Sequence, residues 1–519
     1  MKVIISAYAC QPNMGSEEGV AWNWANQIAK RGYEVHVITR AESRQAIEAE
    51  LEQKAMQRGA RAQCEAPDLC EGSGECRSSS SRRLASLACA ALEALPPPRQ
   101  SSAKGEAKPI AVKPKASDLA KQGTDANGSR AHCAQVSEGN ATTQRSCLDA
   151  MHPAALCTVR EEVANLSFYY LDTPAVLRKF SNFWGWLYYA WQIGLAFKAK
   201  QLHREIGFDL AHHITYATDW MPSGLAVLNI PFIWGPVGGS THKLPKQLKL
   251  NLSPEAKRAE RKRNILQWLV KTFDPFLKLT MKRAAIILPY TQEAVAGIPD
   301  KYRYKTTPII HIGTDIAELS SGDRQIDTSE ARELRIFTGG RLVHWKGFDL
   351  LLEGLSLHLQ ETGANTKIIC TCVWSEGKAY FNSLAESFGV EKHVELLGRL
   401  PNKSDVLDKM RNCDLYALPT WRDGPPTAIL EAMVQGLPIL CLDLGATSEL
   451  VPDGAGFKIP AHNHQQIVRD IAAAITQASK DKSALLEMGK VGQKHALEVY
   501  DWDKIGDEIE SIYERVLCQ

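Results

Sequence analysis

The sequence predicts an α/β protein made of two Rossmann-like, doubly wound domains facing one another across a cleft, with a disordered insertion inside the N-terminal domain. Three observations carry this expectation. Strand-like and helix-like segments alternate along both halves of the chain. The strands are short, continuous apolar runs, as parallel strands covered on both faces must be. Residues 58–164 contain no Phe, Trp or Tyr, although the chain holds 13 Phe, 12 Trp and 14 Tyr.

At 519 residues the chain exceeds one ordinary core. A formal net charge of +2 gives nucleic acid no electrostatic hold, so no nucleic-acid partner is expected. The opening "MKVIISAY" lacks a signal peptide's long apolar stretch and small-residue cleavage site; it reads as a strand and implies a cytoplasmic setting. There, the sequons at Asn127, Asn140 and Asn165 go unused and the 13 cysteines are reduced thiols.

The first domain opens with strand "KVIISAY", glycine turn "NMGSEEG", helix "GVAWNWANQIAKRG" ending at Gly32, and strand "YEVHVITR", a βαβ unit. Residues 1–57 form this first part. Residues 58–164 follow, with "SSSSRR", "PPPRQSS" and seven cysteines; without large apolar side chains they cannot offset their ordering entropy. The Cys64, Cys70, Cys76 spacing is wider than that of a usual zinc knuckle. The domain resumes over 165–315 with strands "LSFYYLD", "DLAHHIT", "PFIWGPV" and "AAIILPY". The joint falls near 311–325. The second domain, 316–495, repeats the alternation from "LRIFTGGRL" to "PILCLDL". A last helix, 496–519, carries Trp502, Ile505, Ile509, Ile512 and Val516 on one stripe.

Two stretches carry the chemistry. In "FTGGRLVHWKGFDLL" a strand ends at Gly339-Gly340, and Arg341 and Lys346 follow before a helix. Gly340 allows close backbone approach, a guanidinium binds two oxygens and an ammonium adds a point charge, which together suit a diphosphate. The alternative is a surface Arg and Lys at a helix start. In "RDGPPTAILEAMVQGLPIL" the strand "DLYALP" leads into Asp423, two prolines and a helix from about Pro426–Thr427. The first amides of that helix favour an anion. Glu431, one turn in, and Asp423, on the loop, suit sugar hydroxyls on either side of the phosphates. The implied ligand is a nucleotide-diphosphate sugar.

On these residues the chain resembles the retaining glycosyltransferases of the GT-B fold, family 4 (glycosyltransferase group 1). The resemblance covers all but the insertion and rests on "MGSEEG", "GGRLVHWKG" and the acidic-x7-Glu motif from Asp423 to Glu431. It implies that Arg341 and Lys346 hold the donor diphosphate, that Thr427 and Ala428 offer backbone amides to it, and that Glu431 binds the ribose. Gly15 and Ser16 would close over the phosphates from the other domain, and the last helix would cross back to the N-terminal domain. The family usually has Glu at Asp423, which is one methylene shorter, and many members carry a His after the strand matching "PFIWGPVGGS", which here has none. His212 and His213 end the preceding strand instead; His213 is the candidate catalytic residue for the cleft, with a buried structural role as the alternative for either.

The resulting expectation is a retaining transfer from a UDP- or GDP-sugar to a glycan or lipid-linked acceptor hydroxyl in cell-surface polysaccharide or glycolipid synthesis. Arg341, Lys346 and the helix start stabilise the leaving diphosphate, the acceptor proton passes to it, and neither metal nor cofactor is needed. Asp501 and Asp503 cap the last helix. Two other readings stand beside this one, a non-catalytic nucleotide-sugar-binding protein of the same fold and a sugar-nucleotide epimerase.

Two stretches concern membranes. Residues 180–197 are uncharged, but Ser, Asn, Gln and five Trp or Tyr make a core or cleft-lining helix the better reading than a span. From Lys243 to Arg283 twelve Lys/Arg face three acidic residues. That run is either a solvated face or a surface that docks on anionic lipid, as a peripheral enzyme on the inner face of the plasma membrane would need.

Overall fold

Eleven short apolar segments, joined by a twelfth strand at Gly456–Pro460 that the reading passed over, become two parallel sheets with one shared strand order. The computed structural model describes residues 1–65, 165–173, 184–238, 252–310, 312–314, 333–372 and 377–518, with the backbone alone for Ser16, 57–65 and Trp184. The chain divides into a unit of Met1–Glu50 with Ala164–Gln519 and a unit of Leu51–Val163. Of the latter only Leu51–Glu65 is described, as the end of a helix; the rest of the composition-defined insertion, and the joint beyond residue 314, lie outside the described residues.

In the N-terminal half, β1 (Lys2–Ala7), β2 (Glu34–Arg40), β3 (Leu166–Leu171), β4 (Leu210–Thr215), β5 (Phe232–Val237) and β6 (Ile286–Pro289) stand in the order β3-β2-β1-β4-β5-β6. Its helices are α1 (Ser16–Lys30), α2 (Arg44–Glu65), α3 (Trp184–Ile206), α4 (Pro254–Phe273), α5 (Pro275–Arg283), α6 (Gln292–Ala296) and α7 (Asp300–Arg303). In the C-terminal half, β7 (Leu334–Gly340), β8 (Thr366–Cys372), β9 (Val394–Gly398), β10 (Leu415–Leu418), β11 (Ile439–Asp443) and β12 (Gly456–Pro460) stand in the order β12-β11-β10-β7-β8-β9. The helices there are α8 (Phe348–Thr362), α9 (Lys378–Ser387), α10 (Lys403–Arg411), α11 (Thr427–Val434), α12 (Gly445–Leu450), α13 (His464–Lys480), α14 (Lys482–Val499) and α15 (Trp502–Leu517). Every pairing is parallel. Both halves therefore reverse direction at one place, between β1 and β4 and between β7 and β10, and ligands of such sheets bind outside the carboxyl ends of those strands.

The expected turn "NMGSEEG" is shorter than its sequence suggests. Helix α1 begins at Ser16, with Gly15 extended before it and Glu17 and Glu18 in its first turn, where carboxylates favour the helix dipole. Gly19 then lies inside the helix, because a Cβ there would stand 1.8 Å from the Met14 carbonyl oxygen.

Helix α3 packs Tyr188, Trp191, Leu195, Ala199 and Leu202 into the N-terminal core at helical spacing. Among the described residues no helix is long and apolar enough to cross a membrane. Helix α4 has one foot in each half. Leu252, just before it, and Ala256 in its first turn belong to the C-terminal core, whereas Leu266 and Val270 pack against the N-terminal one.

The last helix is capped by Asp501, whose side chain accepts from the Asp503 amide. It buries Trp502, Ile505, Ile509, Ile512, Tyr513 and Val516, and lies on α1. Tyr513 Oη stands 2.7 Å from Nδ1 of His212 on β4, and the other ring nitrogen is 2.9 Å from the Gly235 carbonyl oxygen. Burial pushes the His212 imidazole down to about 3, so it is neutral, with Nε2–H donating to Gly235 and Nδ1 accepting from Tyr513. Tyr513→Phe leaves that acceptor buried and unpaired. The substitution should lower stability by about 1–3 kcal/mol, read from the midpoint of urea unfolding at unchanged slope.

Candidate functional site

Both strands at the reversal point of the C-terminal sheet send out a loop, and the two loops are bonded together. After β7, Gly340 takes a left-handed φ of 118° with open space where a side chain would stand. The loop runs through a turn at His344–Lys346 to Gly347, also left-handed at φ 72°. A Cβ on Gly347 would stand 2.0 Å from the Pro419 carbonyl oxygen at the end of β10, so no other residue fits. The Trp345 carbonyl accepts from the Trp421 amide at 2.9 Å and from Thr420 Oγ1 at 3.0 Å. Lys346, itself buried, pairs its ammonium with Asp423 Oδ2. Arg341 is exposed, its guanidinium 5.8 Å from the Trp345 ring, and Arg422 lies 5.4 Å from the same ring.

Helix α11 starts directly after this loop pair. Pro426 occupies its N-cap without a side-chain hydrogen bond to the first turn. The amides of Thr427 and Ala428 precede the first intrahelical bonds, which run from Ile429 and Leu430 to the Pro426 carbonyl. Glu431 lies one turn in, with Lys403 Nζ at 3.2 Å. From the other half, Gly15 approaches this helix start: a Cβ there would lie 3.9 Å from Thr427 Oγ1. Of Ser16, the first residue of α1, only the backbone position is described. Gly340, Arg341, Lys346, Asp423, Thr427, Ala428 and Glu431 thus line two adjoining strand ends and the helix that follows, with Gly15 opposite.

His213 stands apart from that group. It has no exposed surface, and its Nε2 is 3.2 Å from Tyr188 Oη. Burial pushes its imidazole down to about 4, so it is neutral. Around it, Tyr188 and Tyr216 join Tyr8 in a cluster of rings with centroids 4.9–5.3 Å apart. The tyrosine that meets its Nε2 belongs to that cluster.

Several residues at the cleft escaped the sequence reading. Glu17, in the first turn of α1, accepts from the Ala217 amide at 3.2 Å. Burial pushes its carboxyl up to about 7, raised further by Glu18 and opposed by the Ala217 amide and Arg341. Tyr290, after β6, feels both Glu17 and Asp423, and burial holds its phenol well above the usual range. Glu260, on α4, grips Arg422 with two bonds, 2.6 and 2.8 Å. Glu17 had a signal, a carboxylate inside the glycine motif. Glu260 had none, since it sits in a basic run 162 residues from its partner.

Residues 322–495 match the family model of glycosyl transferases group 1. D-inositol 3-phosphate glycosyltransferase of Corynebacterium glutamicum is 24% identical over 247 residues, covering 44% of this chain and 57% of that protein. The chain spans about half the length of the curated relatives it matches, 57%, 56% and 46% for three of that name. Among solved structures, sucrose-phosphate synthase from Thermosynechococcus elongatus superposes with a TM-score of 0.56 at 12% identity, covering 100% of this chain and 99% of that one. HepE from Anabaena, in complex with UDP and glucose, superposes at 0.51 with 13% identity, covering 99% and 100%. The fold is GT-B, as the resemblance implied.

Glu17 sets a pH dependence. A carboxyl whose pKa is raised in the folded state contributes stability that is complete below its unfolded value and is lost as pH rises through about 7. Glu17→Gln removes that ionisation. The melting temperature of the variant relative to the native protein should therefore climb between pH 5 and pH 9; a flat difference would refute the assignment.

Proposed function

We propose that the protein is a retaining glycosyltransferase that takes a sugar from a nucleotide-diphosphate donor. The observation that carries this is the joining of Arg341, Lys346 and the uncapped start of α11 at two adjacent strand ends, flanked by Asp423 and Glu431. Two cations and a helix N-terminus can stabilise a departing diphosphate without a metal. Lys346 pairs with Asp423 until a phosphate competes for the ammonium, which frees the carboxylate for the sugar hydroxyls. Glu431 accepts from the ribose, and Gly15 and Ser16 close over the phosphates. The acceptor attacks from the face the diphosphate leaves, and its proton passes to a phosphate oxygen. His213 enters this scheme only by supporting the ring cluster of Tyr8, Tyr188 and Tyr216.

The donor base is uracil or guanine. The HepE structure holds UDP and glucose, which puts UDP first among the donors to try. Calorimetric titration of UDP and of GDP into the whole protein tests the reading. One nucleotide should bind, and Arg341→Ala with Lys346→Ala should weaken it roughly a hundredfold, two charged contacts at about tenfold or more each. Binding of neither nucleotide to the folded protein would remove the donor site and favour another role for the fold.

The acceptor is a glycan or lipid-linked hydroxyl presented at an anionic membrane surface, with the protein peripheral on its cytoplasmic face. The outer face of α4 supports this. Arg258, Arg261 and Lys262 occupy its first half, and Ile265, Trp268, Leu269 and Phe273, exposed by 49, 60, 42 and 64%, occupy the second. A cationic stretch beside exposed aromatics is how an interfacial helix holds anionic lipid. The protein should sediment with vesicles containing phosphatidylglycerol and not with pure phosphatidylcholine, and Trp268→Ala with Phe273→Ala should abolish this. Equal recovery with both vesicle types would sink the idea.

A further inference from the structure

The inner face of α4 does something different from its outer one. Glu260 is 4% exposed and Arg422 6%. The carboxylate meets the guanidinium in the two-pronged geometry that fixes both planes, with Nη1 at 2.6 Å and Nη2 at 2.8 Å. His344 Nε2 lies 3.6 Å from the same carboxylate. These two partners sit on the two loops that build the donor site. His344 lies between Arg341 and Lys346, and Arg422 immediately precedes Asp423. Glu260 itself comes from the other half of the molecule.

The surroundings make this more than a chance surface pair. Leu252 and Ala256, at the start of α4, pack in the C-terminal core, while Leu266 and Val270 pack on the N-terminal one, so Glu260 stands where the helix crosses from one half to the other. Burial alone would raise the Glu260 carboxyl; His344 and Arg422 outweigh it, with help from Arg263, and hold it at about 2. Burial, with the Arg422 charge beside it, lowers the Arg263 guanidinium to about 10. Glu260 therefore faces two guanidiniums, and neutralising it leaves them repelling each other beside the loops, with the Arg422 fork unmatched in a dry site.

We propose that Glu260 is a positioning residue that fixes both donor-binding loops from the opposite domain, so that the site takes its working shape only while α4 clasps the two halves together. The proposal rests on the donor-site reading above, and the test separates the two. Glu260→Gln keeps the shape and removes the charge. In the whole protein without nucleotide, amide hydrogen exchange should quicken across 341–348 and 420–428 and stay unchanged in β11. Exchange that is unaltered in those loops, or raised equally everywhere, would overturn the proposal. The nucleotide that binds the native protein should bind Glu260→Gln about tenfold more weakly; equal affinity would overturn it as well. If the native protein binds neither UDP nor GDP, the donor reading falls by itself and the exchange measurement alone decides the clasp. Glu260→Asp, which keeps the charge at shorter reach, should fall between the two in both readouts, and carries the test if the Gln variant does not fold.

Discussion

The cleft chemistry depends on one close contact, that of Gly347 with the Pro419 carbonyl. It brings the loop after β7 and the loop after β10 within bonding distance of each other. With them together, the Trp345 carbonyl can accept from Thr420 and Trp421, and Lys346 can reach Asp423. A side chain at Gly347 would push the loops apart and dissolve all three links. The parallel sheet supplies the precondition, because its strand order makes β7 and β10 neighbours although about seventy-five residues separate their loops.

Around this contact the charges are arranged in two layers. The outer layer sets the exposed Arg341, the half-buried Asp423 and Glu431 and the more deeply set Lys346 side by side, in pairs whose partners a ligand can exchange. The inner layer, Glu260 with Arg422, is dry and two-pronged, and a ligand cannot reach it without opening the molecule. Exchangeable pairs on a non-exchangeable base are what a site needs if it is to release its product and keep its shape.

Much of the fold was legible because parallel strands buried on both faces announce themselves as apolar runs between helices, from "KVIISA" through "ILCLD". The C-terminal site residues were legible for a related reason: glycines, cations and a proline-led helix start sit close together in sequence, so spacing alone relates them. What spacing could not supply was pairing over distance. Glu260 lies in a stretch that reads as a basic solvent face, and only the fold turns its inner side toward Arg422. His213 shows the opposite limit. It stands at a strand's end near a reversal point, and of the rings of Tyr8, Tyr188 and Tyr216 packed around it only Tyr216 was near it in the chain. The start of α1 was misplaced because Gly19 reads as a turn residue, whereas its smallness serves a backbone contact with Met14 inside the helix.

Strand β3 is the outermost of the N-terminal sheet, bonded to β2 alone. In sequence, residues 66–164 lie between the end of α2 and the start of this part of the sheet. Lengthening a connection to an edge strand leaves the pairing of β2, β1 and β4 untouched, and with it every residue at the reversal point. An edge strand is therefore the place in this sheet where tags or whole modules could be spliced into the chain while the order of the central strands, and the loops they carry, is kept.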